Sequence, residues 1–106
     1  MAKYLIVASY TNPGIKGIIA KGGTARREAV EKMVADLGGH MESFYFGFGD
    51  GDAYVIVDLP DNVGAAAASL TVGASGMATT KTTVLLTPEE VDRAAATSVN
   101  YAPPGS

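Results

Sequence analysis

Few residues in this chain could do chemistry, and their spacing narrows the choice. His40 is the only histidine and there is no cysteine, so one chain cannot build a multi-histidine or thiolate metal site, a disulfide or a cysteine nucleophile. A lone imidazole can serve as a general base, and it can equally be a surface histidine opening a strand. Asp50 and Asp52 alternate with Gly49 and Gly51 in FGFGDGDAY, Phe46 to Tyr54. A calcium loop needs more oxygen donors and a glutamate at fixed spacing, so the aspartates read as hairpin-turn residues and no metal is expected, magnesium held through the two carboxylates being the alternative. Gly17 to Thr24, GIIAKGGT, approaches a phosphate-binding loop, but Gly23 stands where that motif needs lysine. What survives is an anion site at a helix start. Gly22, Gly23 and Thr24 open the helix, and Arg26 and Arg27 lie in its first turn, where cations oppose the helix dipole. The alternative is two solvated arginines. The tyrosines form the largest set. Tyr4, Tyr10, Tyr45 and Tyr54 could line an apolar pocket with a few hydroxyls, or could simply supply packing area.

Those residues must be held by a small domain. The chain has 106 residues, 47% of them hydrophobic and 18% charged, which suits one globular domain. A net charge of −3 argues against a nucleic-acid binder. The apolar run in MAKYLIVASYTNPG is too short for a signal peptide, and no segment is long enough to cross a bilayer. A cytoplasmic protein without membrane contact is expected, as is the absence of a cofactor.

Periodicity divides the chain. Lys3 to Tyr10 reads as a strand apolar on both faces. Asn12 is expected to cap a short helix with Pro13 at its first position and Ile15, Ile18 and Ile19 on one face. A longer helix runs from about Thr24 to Leu37, with Val30, Met33, Val34 and Leu37 as its stripe. His40 to Phe48 is a strand with Phe44, Phe46 and Phe48 on one side and Met41 and Tyr45 on the other. A glycine–aspartate turn leads to the strand Ala53 to Leu59. Asp61 caps a helix whose buried face is expected at Val63, Ala66, Ala67 and Leu70. Met77 to Leu86 is a fourth strand. Thr87 and Glu90 make a capping box for a last short helix ending near Thr97. Residues 1–98 then form the domain, and 99–106 an extended tail.

The order βαββαβ predicts an α+β fold of ferredoxin-like type, an antiparallel sheet with helices on one face. The strands are apolar on both faces, so the second face needs a cover. A second copy related by a two-fold axis supplies it, and a homo-oligomer built on a dimer is expected.

The chain resembles the GYD-domain family of small bacterial and archaeal proteins over nearly its whole length. The resemblance rests on YTNPGIKG, on Arg26 or Arg27, on LGG before the second strand, and on Gly49 and Asp52 in the hairpin. It continues through LPD before an alanine-rich helix, Gly76, KTTVLL and TPEE. The motif that names the family is glycine, any residue, tyrosine, aspartate. It stands as Gly49, Asp50, Gly51, Asp52, with glycine at the tyrosine position. The resemblance implies a ferredoxin-like fold forming a dimeric α/β barrel, and it brings no accepted catalytic residues.

Two functions remain open. One is a homo-oligomeric module that binds a small apolar or aromatic molecule or acts as an assembly or regulatory partner. The other is a cofactor-independent monooxygenase or isomerase, with His40, Tyr10, Tyr54 or Asp52 shuttling protons. The second rests on fold analogy alone.

Overall fold

The computed structural model describes residues 1–105; the final tail residue, Ser106, lies outside the described residues. Strands β1 (Ala2–Tyr10), β2 (His40–Phe46), β3 (Ala53–Leu59) and β4 (Ala78–Leu85) form one antiparallel sheet in the order β2-β3-β1-β4. Helices α1 (Asn12–Lys21) and α2 (Gly23–Asp36) follow β1. Helix α3 (Asn62–Ala74) follows β3, and α4 (Pro88–Ala96) follows β4. This is the expected α+β, ferredoxin-like arrangement, with β1 and β3 central.

The core lies between the sheet and α2 and α3. Tyr4, Val55, Val57 and Leu59 from the central strands are buried with Val34 of α2, Met41 of β2 and Ala65 of α3. Val30 and Leu37 pack against this cluster, so the α2 stripe lies on the core side as its spacing predicts. The Tyr4 hydroxyl donates to Asn62 Oδ1, so a tyrosine that is 1% exposed keeps its polar end satisfied.

Five details differ from the sequence reading. The cap of α1 is Thr11, not Asn12. Its extended backbone suits a cap, and its Oγ1 accepts from the Gly14 N–H and donates to the Gly76 carbonyl at 2.8 Å. The cap therefore also ties α1 to the end of α3, a contact that sequence cannot reveal. On α1, Ile19 points outward at 78% exposure while Ile15 and Ile18 are half-buried.

In β2 the register slips between Met41 and Ser43, leaving Glu42 as a bulge. Met41 thus joins Phe44 and Phe46 on the helix side instead of sharing a face with Tyr45. Phe48 lies beyond the strand with φ 54°, its ring stacked on Phe46 with centroids 5.8 Å apart.

In α3 the buried residues are Ala65 and Ala68, while Val63 and Leu70 are about three-quarters exposed. The Asp61 cap, which accepts from the Gly64 N–H at 3.0 Å, fixes where the helix begins. The side that meets the sheet is the alanine side, because a methyl lets the backbone approach closely. Larger residues on that side would hold the helix off.

The other face of the sheet carries no helix. Leu5 and Val7 of β1 and Tyr54 and Ile56 of β3 point there and are half-buried. Lys3 closes one end of it, 3.0 Å from Asp58 and 3.3 Å from Glu42. The chain ends in an arm. Helix α4 is exposed along its length apart from half-buried Glu90, and residues 97–105 form no helix or strand. The radius of gyration is 16.8 Å, against about 13 Å for a compact chain of this length.

Candidate functional site

The site begins at the end of β1. The last β1–β3 pair is Ala8 with Ala53, and beyond it Asp52 continues the tie in two ways. Its N–H donates to the Ala8 carbonyl at 2.8 Å, and its carboxylate accepts from the Tyr10 N–H at 2.8 Å. A charged acceptor makes the stronger kind of backbone bond. Asp52 therefore turns inward, onto the backbone of a neighbouring strand, and fixes where Tyr10 stands.

Gly51 is buried beside this bond. A Cβ there would collide with Cγ1 of Val7, a stiff branched side chain. The room is taken by Tyr54, whose hydroxyl accepts from the Gly51 N–H at 3.1 Å. A tyrosine thus reaches the loop from β3 where the naming motif would carry one at Gly51. Asp50 stays exposed at the tip of the loop.

Tyr10 points to the helix side. Its hydroxyl accepts from Arg26 Nε at 3.4 Å, and the Arg26 guanidinium carbon lies 5.6 Å from the tyrosine ring centroid. Arg26 is half-buried, whereas Arg27 on the next position is exposed. The two arginines part company: Arg26 faces Tyr10, and Arg27 borders an open surface depression with Phe44, Tyr45 and Phe46.

Tyr10 and Arg26 stand between two spaces. On the sheet side, under α2 and α3, is a nearly filled apolar gap of about 40 Å³. On the other side is a cavity of about 340 Å³ between α1, α2 and Met77. Ile18, Ala29 and Met77 give it an apolar wall, and Lys21, Arg26 and Tyr10 give it a polar end. Only the second is within the size range of ligand sites. Its walls are set by the sharp joint at Gly22, whose φ of 86° suits glycine and turns α1 into α2 without a linker. Gly17, in the middle of α1, borders the cavity, and nothing lies within 4 Å of the place its Cβ would take.

The remaining sequence candidates are scattered. Tyr4 is buried on the helix side but lines neither space. Tyr45 and Tyr54 pair across β2 and β3 on the uncovered face, so the four tyrosines do not share one pocket. His40 is exposed and pairs with Asp58, which pairs in turn with Lys3. Tyr10 is at the other end of β1, roughly 20 Å away at ~3.3 Å per residue. No direct proton path joins His40 to Tyr10 and Asp52. Among the described residues no three metal-ligating side chains come together, and no helix is long and apolar enough to cross a membrane.

Sequence reasoning missed Lys21, Ile18 and Met77 as cavity residues. The available signal was Gly17, a glycine in mid-helix, where that residue costs about 1 kcal/mol relative to alanine.

A family model described as the GYD domain matches residues 4–95. No curated protein and no solved structure matches the chain.

Proposed function

Since the chain belongs to the GYD-domain family, whose naming aspartate here holds Tyr10 at a cavity wall, we propose that the protein is a homodimeric module that binds a small, largely apolar molecule. The observation that carries the binding reading is the cavity of about 340 Å³ between α1 and α2, with Tyr10 and Arg26 in its wall. The cavity is a half-open groove, and a concave apolar surface with a few convergent polar groups is the usual form of a ligand site. The test is a titration of the full chain with indole, followed by amide chemical shifts. Shifts at Ile18, Ala25 and Ala29 are expected; shifts confined to the uncovered sheet face would remove the reading.

The dimer reading rests on a different feature. Leu5, Val7, Tyr54 and Ile56 form the apolar centre of a sheet face that no helix of the same chain covers. The C-terminal arm exposes Leu86, Val91, Val99 and Tyr101. Both unsatisfied surfaces belong to one chain, so a two-fold pair of copies can bury each against the other. Sedimentation equilibrium at micromolar concentration is expected to give twice the 10.8 kDa chain mass. Ile56→Lys, which puts a charge in the centre of that face, is expected to give the single-chain mass. A wild-type mass of one chain would sink the dimer.

A further inference from the structure

The α1–α2 cavity has a charge character that stands out in a protein of net charge −3. Lys21 and Arg26 both border it, and no aspartate or glutamate does. Neither cation has a carboxylate partner among the described residues. Arg26 is held through Nε by the Tyr10 hydroxyl, and its terminal nitrogens have no protein partner among the described residues. A guanidinium anchored by one edge presents the other as a two-pronged donor. Arg26 also lies in the first turn of α2, where only an anion relieves its opposition to the helix dipole. The rest of the wall is apolar, and Gly17 borders it with no atom within 4 Å of the place its Cβ would take.

Resting on the ligand-binding reading above, we infer that this cavity takes a small monocarboxylate with an apolar, ring-sized body. The carboxylate meets Arg26 and Lys21, and the body lies along Ile18 and Met77. A planar carboxylate matches the two-pronged edge of Arg26, and the head group is assigned on that fit. The volume is near the lower end for ligand cavities, which favours one ring over a long chain.

Phenylacetate and its neutral isostere phenylacetamide separate the parts of this inference in calorimetric and NMR titrations of the full chain. Phenylacetate is expected to shift the amides of Ile18, Ala29 and Met77 and to bind about tenfold or more tightly than the amide. Arg26→Gln is expected to remove that preference, and Arg26→Lys to restore part of it. Gly17→Leu is expected to abolish binding while the melting temperature does not fall, since its Cβ enters open space. Gly17→Ala, with a smaller loss of affinity, serves if the leucine variant fails to fold. Equal affinity for acid and amide at these residues would overturn the carboxylate inference and leave the binding reading standing. Tighter binding of phenyl phosphate would overturn the head-group assignment. No shift at these residues with any probe at roughly 10 mM would overturn both readings.

Discussion

The two faces of the sheet come from the same four strands and have opposite fates. On β3, Val55, Val57 and Leu59 are at most 4% exposed beneath the helices, while Tyr54, Ile56 and Asp58 between them are half-buried on the other side. Both rows are rich in apolar residues, yet the chain supplies helices for only one. The covered face is a core that the chain completes alone. The open face has no cover within the chain, and on the dimer proposed above a second copy supplies it.

Cavity-forming changes on the covered face should have the largest effect. Leu59→Ala is expected to cost about 2–5 kcal/mol in urea unfolding, and the cost should not depend on protein concentration. Leu5→Ala on the open face should show a loss that is largest at high protein concentration and shrinks as dilution separates the wild-type copies. Similar, concentration-independent losses would erase the distinction between the faces. Gly51→Ala tests the loop that joins them, because its methyl meets Val7 on the open side; a loss of about 1–3 kcal/mol is expected from overpacking. Asp52→Ala removes the tie to the Tyr10 N–H and should cost about 1–2 kcal/mol. Its signature is faster hydrogen exchange at the Tyr10 amide while the Val57 amide stays protected. Unchanged exchange at Tyr10 would show that Asp52 does not hold the strand end.

The smallest effect belongs to α4, which lies outside both faces. The backbone N–H of Thr87, and then its side chain, hold the Glu90 carboxyl below the ordinary glutamate range. A depressed folded-state value gives stability that is present above the unfolded value and lost as pH falls through the folded one. Acidification below the ordinary glutamate range should therefore fray α4, seen as a small loss of helical circular dichroism. The sheet should remain intact. Thr87→Ala should cost α4 about 1 kcal/mol locally, with the main urea transition unmoved.

The sequence disclosed the four strands and the ferredoxin-like order because β-branched runs and glycine–aspartate punctuation are local signals. It disclosed the Asp61 cap and the Thr87–Glu90 box for the same reason. The inward side of α3 was misread because hydrophobicity favours Val63 and Leu70, whereas close approach favours Ala65 and Ala68. Glu42 looks like any strand residue, so the bulge that moves Met41 across the sheet leaves no trace in composition. Tyr10, Arg26 and Asp52 were each picked out, but their junction is a matter of tertiary distance: residues 10 and 52 are joined by one hydrogen bond. The cavity is defined by atoms that are missing, and only a mid-helix glycine hinted at it.

The strand order has a consequence for how the molecule comes into being. β1 is synthesised first but sits between β3 and β4, with partners as distant as Lys3 and Leu85. Until those later segments leave the ribosome, KYLIVASY has no native neighbour on either edge. Such non-local pairing slows folding and leaves an apolar segment open to aggregation while it waits. Production of the protein should therefore respond more to the rate of translation and to chaperone supply than its small size suggests. Polar substitutions at Leu5 or Val7 would improve soluble yield in the nascent chain while weakening the dimer proposed above.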